Sequence, residues 1–277
     1  MSHNVSPGSQ PHETGLDRPL YTPIKRRSFF MYAGATAGAT ALVLAGCKDD
    51  DNNDPSRIDV GSGDGGILNY AYALEQLEAA FYAQIKMSAY YTAASTPAAI
   101  KQVFDDLALH EAIHRDFLKA AITANAATLN VTLMKDLTPD FSKIDFNSLN
   151  GILTAARTFE DTGVAAYNGA GRYLTNNTFL GLAGKIVSVE ARHAALIRDM
   201  ITYNKFVDSD VVNTFSPTLP ANATTAYNGE GTASLTPAGS NGNPVAGAER
   251  SRKPQDVLNS VNDFLASGSK LSATSFS

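Results

Sequence analysis

"HEAIH", residues 110–114, admits two readings that lead to different folds. As H-E-x-x-H on a helix, it sets two His on one face to bind zinc and leaves the Glu as general base. Read from its second letter it is E-x-x-H, Glu111 with His114, half of the side-chain set with which a four-helix bundle holds two metal ions. The first reading demands a third zinc ligand close by. The second demands another E-x-x-H and one further Glu on each of two other helices.

The surrounding chain answers the second demand. The extended zinc-protease pattern would place Gly at 117 and His at 120, where this chain has Phe117 and Ala120, and the next Glu is Glu160. "HEAIHRDFL" (110–118) is instead paralleled by "VEARHAALI" (189–197), which aligns Glu111 with Glu190 and His114 with His193. "ALEQLEAAFY" (73–82) is likewise paralleled by "TFEDTGVAAY" (158–167), aligning Glu75 with Glu160 and Tyr82 with Tyr167. On a helix, i and i+3 share a face, so each E-x-x-H aims two ligands at one point. The repeat replaces His110 by Val189, which marks His110 as an outer-face or packing residue and not a ligand.

Helical period surrounds every one of these motifs. Segments 66–93, 97–127, 148–174 and 178–204 are rich in helix formers and free of internal Pro, and Thr96 with Pro97 reads as a cap and first helical position. The links are short, long and short. Short links make antiparallel hairpins and the long one, about 128–147, permits a single crossover, so the expected fold is all-α, a four-helix bundle of two hairpins. Between 64 and 210 the Glu residues are Glu75, Glu78, Glu111, Glu160 and Glu190, all in mid-helix, whereas helical proteins normally scatter Glu over exposed faces. Counted from the hairpin turns at ~1.5 Å per residue, the four paired Glu fall within about 3–6 Å of a common height. On the first helix Glu75 is favoured by the repeat and by the Tyr seven residues on, while Glu78 matches Glu111 better in height. Whichever does not ligate would support a ligand from outside; Tyr82 and Tyr167 read either as donors to carboxylates through their hydroxyls or as aromatic core packing. Asp161 points about 100° away from Glu160 and is expected in solvent. Tyr70, Tyr72, Tyr90 and Tyr91 read as packing or surface.

Four buried carboxylates without cations would be very costly, or would have to stay protonated. Two divalent ions balance four Glu⁻ and two neutral His, and mixed N/O ligation suits iron or manganese. Overall the 277 residues are 44% hydrophobic and 18% charged with net charge −5, and no Lys/Arg cluster lies on an amphipathic segment, which argues against a nucleic-acid partner. The lone cysteine, Cys47, rules out an internal disulfide framework.

Outside the bundle the chain changes character. "KRRSFFMYAGATAGATALVLAGC" (25–47) joins a basic start to a small-residue apolar run, the form of a secretory signal. Arg26-Arg27 resembles a twin-arginine export motif and "LAGC" a bacterial lipobox, which implies lipidation of Cys47 and a membrane-anchored protein of the cell envelope, periplasmic or at the cell surface; an uncleaved membrane helix is the alternative. Residues 1–47 are thus read as signal, 48–64 as an acidic flexible tether and 65–206 as the bundle. Residues 207–277 are read as a low-complexity tail without chemistry, with one helix near 254–266 docked through Val257, Leu258, Val261, Phe264 and Leu265.

Taken together, "LNYAYALEQLEAAFY" (68–82), "EDTGVAAYNGAG" (160–171) and "VEARHAAL" (189–196) resemble the ferritin-like superfamily, and within it exported proteins related to plant desiccation proteins. The resemblance spans about half of the chain. It implies Glu75, Glu111, His114, Glu160, Glu190 and His193 as metal ligands, the four Glu as catalytic, with Glu75 and Glu160 terminal and Glu111 and Glu190 bridging. It further implies two iron ions (or manganese), O2 or peroxide as the reactant, and oxidation of Fe(II) or removal of peroxide. Any enzyme activity would be an oxidoreductase of ferroxidase or peroxidase type, and a homodimer is allowed. The competing reading is a non-catalytic stress or desiccation protein that uses metal as a structural clamp.

Overall fold

The computed structural model describes residues 56–208, 210–211 and 249–276. Four long helices carry it: α1 (Gly63–Met87), α3 (Ala98–Leu129), α4 (Leu149–Ala170) and α5 (Asn177–Ile201), with a one-turn helix α2 (Ala89–Thr92) between α1 and α3. Helix α1 packs mainly on α3, and α4 on α5, so the two hairpins and the long crossover stand as expected. No helix among the described residues is long and apolar enough to cross a membrane.

Local chemistry sets the helix ends. Ser148 caps α4 by accepting the Gly151 N–H, and Asn176 caps α5 by accepting from Thr178 and Phe179. Helix α3 ends at Asn130 in the left-handed conformation, φ 47° and ψ 48°, one of the few non-glycine residues at ease there. Thr96 does not cap α3: its hydroxyl donates to the Tyr90 carbonyl, and Pro97 occupies the cap position itself. At the other end of the bundle the Asp64 carboxylate, in the first turn of α1, accepts the Thr175 and Asn176 N–H groups at 2.7 and 2.9 Å and pins the α4–α5 turn to α1.

Helix α1 is buried on almost every side, polar residues included. The crossover link explains two of those. It lacks a regular ladder, and its backbone is satisfied in part by α1 side chains: Asn69 accepts Met134 N–H and donates to the Thr132 carbonyl, and Gln76 accepts Leu137 N–H. The link then delivers Phe141 and Phe146 onto Phe81 and Phe159, ring centroids 4.7–6.2 Å apart. Leu77, Ile85, Phe104, Leu107, Ile122, Ile152 and Ile197 fill the seams between helices, each contributing roughly 1.5–3 kcal/mol by burial.

The ends of the described chain are more ordered than the sequence suggested. Ile58–Asp59 (β1) pairs in parallel with Leu271–Ser272 (β2), so residues expected to be tether are built into the fold. The expected helix near 254–266 is α6 (Pro254–Val261) followed by a 3-10 turn at Asn262–Phe264, with Val257, Leu258, Val261 and Leu265 buried as the stripe requires. Just before it, Arg252 N–H donates to the Ala165 carbonyl as the chain crosses α4 at Gly169. A Cβ on Gly169 would lie 1.7 Å from the Arg252 carbonyl oxygen, so only glycine allows this crossing.

Candidate metal centre

All four long helices send carboxylates to one layer. Glu75 from α1, Glu111 from α3, Glu160 from α4 and Glu190 from α5 are each fully buried, and His114 and His193 are 9% and 5% exposed. The ligating atoms of Glu75, Glu111, His114 and Glu190 lie within 4.8 Å of one another, as do those of Glu111, Glu160, Glu190 and His193. The two quartets share Glu111 and Glu190. The layer therefore offers two overlapping groups that could each hold a metal ion, each completed by one Glu and one His of its own.

The imidazoles face this layer through Nδ1. His114 Nδ1 lies 2.8 Å from Glu190, 3.4 Å from Glu75 and 3.4 Å from Glu111, and His193 Nδ1 lies 2.7 Å from Glu111 and 3.5 Å from Glu160. These are contact distances without hydrogen-bond alignment: both Nδ1 atoms, both oxygens of Glu111 and of Glu190, and Oε2 of Glu75 and Glu160 have no hydrogen-bond partner. Buried polar atoms are nearly always paired. Eight that converge and are not are donors aimed at a common space, and the set of carboxylates and imidazoles fits divalent iron or manganese.

The outer oxygens are occupied, and crosswise. Tyr167 of α4 donates to Glu75 Oε1 of α1 at 2.5 Å, and Tyr82 of α1 donates to Glu160 Oε1 of α4. Each tyrosine therefore serves the carboxylate of the opposite hairpin and leaves its Oε2 facing inward. Burial and the neighbouring carboxylates push both phenols well above their ordinary range, so they stay donors.

Electrostatics show how the cluster copes without cations. Burial pushes Glu75 up to about 7 against the pull of His114, and raises Glu160 and Glu190. Burial opposes charge on Glu111 too, but the close imidazoles of His114 and His193 outweigh it and draw the group down to about 2. The same balance, read from the imidazoles, lifts His114 to about 12 and His193 to about 10. In this balance the two imidazoles carry the positive charge that faces the carboxylates.

Glu78 is also buried, at 4% exposure, yet it belongs to neither quartet. Its counterpart in the repeat is Gly163, and the space that glycine leaves receives the Glu78 carboxyl: a Cβ there would lie 3.0 Å from Glu78 Oε1 and 3.6 Å from Glu190 Oε2. Burial, reinforced by Glu190, Glu75, Glu111 and Glu160, raises Glu78 well above the carboxylate range and favours its neutral form. A neutral Glu78 stands apart from the four carboxylates that make up the two quartets. It does not orient a histidine.

The residue that reaches a layer histidine from outside is His110. Its Nδ1 lies 2.9 Å from His193 Nε2, while the ring itself is exposed. Asp161, expected in solvent, instead pairs with buried Arg198 through two hydrogen bonds of 2.9 and 2.6 Å, and Arg198 also reaches Asp210 at 3.0 Å. Burial raises Asp161 against the pull of Arg198. The partners are separated by 37 residues, and no local pattern links them. Of the other tyrosines, Tyr70 and Tyr72 are core residues, and Tyr72 reaches Asp136 at 3.2 Å.

Directly beyond the ligand layer, toward the α4–α5 turn, lies a small apolar cavity of about 20 Å³. Leu74, Leu118, Tyr167 and Ile186 line it together with Phe117 and Phe179. Tyr167 is thus both wall of the cavity and hydrogen-bond donor to Glu75. The export and lipidation residues Arg26, Arg27 and Cys47 lie outside the described residues.

No curated protein matches the chain. A family model does: the one described as a ferritin-like domain aligns with residues 63–203, from the start of α1 to just past the end of α5. With the crossover bundle and its buried Glu/His layer, that match shows that the chain belongs to the ferritin-like domain family.

Proposed function

We propose that the protein is a di-metal carboxylate oxidoreductase of the cell envelope, holding two iron or manganese ions and acting on O2 or peroxide. Glu75 and His114 would complete one position and Glu160 and His193 the other, with Glu111 and Glu190 shared. The observation that carries this reading is the convergence of eight buried, unpartnered ligand atoms on one space. Two adjacent ions of this kind supply two electrons to one oxidant molecule, the stoichiometry for turning O2 to peroxide or peroxide to water.

The chain's own part is positioning and exclusion. Tyr82 and Tyr167 each hold one carboxylate oxygen so that the other faces inward. Fully buried walls keep bulk water from the layer, which strengthens every charge–charge interaction within it. The apolar cavity beside Tyr167 admits O2 more readily than a hydrogen-bonding peroxide, because nothing in its lining replaces the peroxide's bonds to water. The likeness of residues 25–47 to a twin-arginine lipoprotein signal, and of the bundle motifs to exported desiccation-related proteins, supports an envelope location, with Cys47 as the lipid anchor.

The test is metal analysis of the protein loaded anaerobically with Fe2+, followed by stopped-flow absorbance on mixing with O2 or peroxide. Two ions per chain and a rapid oxidation phase are expected. Iron well under two per chain with no such phase overturns the reading. Glu160→Ala separates it from a structural clamp: turnover lost with little change in melting temperature supports the enzyme, whereas unfolding in a protein that never turned over supports the clamp.

A further inference from the structure

His110 is the letter of "HEAIH" that the di-metal reading leaves unused. The repeat places Val189 at the equivalent position, four residues before His193, as His110 stands four before His114. The structure gives this difference a consequence. His110 does not turn toward its own helix's ligand. It crosses to α5, its Nδ1 2.9 Å from His193 Nε2 and the two rings stacked with centroids 5.2 Å apart.

An imidazole that offers Nδ1 to a cation must carry its proton on Nε2. For His193 that N–H has an acceptor in His110. For His114 no group among the described residues hydrogen-bonds to Nε2, and the equivalent position holds the apolar Val189. We infer that His110 is a positioning residue that fixes the tautomer and ring orientation of His193, making the position built on Glu160 and His193 the tighter of two unequal metal positions. The inference rests on the di-metal reading. It concerns the order and strength of loading, which the symmetric set of six ligands does not distinguish. His110 is exposed and touches no cation itself, so its effect passes entirely through His193.

The experiment is an anaerobic titration of the full chain with Fe2+ by calorimetry, repeated with Co2+ to follow ligand-field absorption at each step. Wild type is expected to take up two ions in two resolved steps. In His110→Val the tighter step weakens by about 10–100-fold, the usual effect of removing such a partner, while the other step stays in place. His110→Gln, whose side-chain carbonyl can accept the same N–H, recovers most of the loss. Val189→His, which offers His114 a partner, strengthens the weaker step. Two steps in His110→Val indistinguishable from wild type, or both weakened alike, overturn the inference and leave the di-metal reading intact. Fewer than two ions on the wild type overturn both. An unchanged apo melting temperature in His110→Val shows that the binding change is not a folding defect.

Discussion

Tyr82 and Tyr167 follow Glu75 and Glu160 by seven residues, yet each donates to the carboxylate of the other helix. Seven residues is two turns, too far along one helix for this contact. The spacing therefore reports a relation between the hairpins that only their packing reveals. Removing either hydroxyl strips a buried carboxylate oxygen of its partner, at a cost of about 1–3 kcal/mol. Tyr167→Phe should loosen Glu75 and Tyr82→Phe should loosen Glu160, each weakening one of the two metal-binding steps by about tenfold, with the helical circular dichroism unchanged. Equal effects of both variants on both steps would contradict the assignment. A second expectation concerns protons. Without cations His114 and His193, lifted to about 12 and about 10, are protonated at neutral pH. A cation in either quartet needs the Nδ1 lone pair of its own His, so loading expels protons and apparent affinity rises with pH, by roughly tenfold per pH unit for each proton released. Calorimetry in buffers of different ionisation heat measures that number directly, and no buffer dependence would refute it. The choice between Glu75 and Glu78 belongs to this scale as well. Both lie on one face of α1, and what separates them is that Glu75 gives an oxygen to a quartet while the Glu78 carboxyl, received in the space at Gly163, does not.

Helix existence, and the pairing of helices into hairpins, follow from periodicity and link length, and these agree with the structure over α1, α3, α4 and α5. What periodicity does not carry is the reason α1 is buried nearly all round. Asn69 and Gln76 look like surface residues until the crossover link is laid over them and takes its hydrogen bonds from their amides. The C-terminal segment completes that cover. Its crossing at Gly169 leaves no space for a methyl group, so Gly169→Ala should push Arg252 off α4 and break its bond to the Ala165 carbonyl. The expected cost is about 1–3 kcal/mol. It would be read as a lower melting temperature together with faster proteolysis within 249–276. An unchanged protease pattern would show that the tail holds elsewhere. Low-complexity composition before residue 249 concealed this docking, because composition describes a stretch's own tendency and not the surface offered to it.

Across the whole molecule, the buried layer trades stability for binding. Charged and partly protonated carboxylates are held together inside the bundle with only two imidazolium groups to offset them. Cations should therefore raise the melting temperature: free metal at 100 times its dissociation constant contributes about 2.7 kcal/mol. Glu190→Gln removes one shared charge while keeping the shape. The apo form of that variant should melt at or above the wild-type temperature, and metal should stabilise it far less. Scanning calorimetry with and without Fe2+ or a chelator decides this; a large drop in apo stability would mean that Glu190 is a structural residue.

The linear chain by itself determined the bundle, the crossover, the candidate ligands Glu111, His114, Glu160, Glu190 and His193 and the irrelevance of the zinc-protease match, because helical period and a duplicated Glu/His pattern are local properties that survive without a partner in view. Tertiary structure alone decided that Glu75 and not Glu78 joins a quartet, that Tyr82 and Tyr167 bond across the hairpins, that His110 contacts His193, that Asp161 pairs with Arg198, and that Ile58–Asp59 meets Leu271–Ser272. Each of these joins residues that are distant in sequence. Such contacts depend on which space a neighbouring helix leaves open, and spacing along one strand of sequence holds no record of that space.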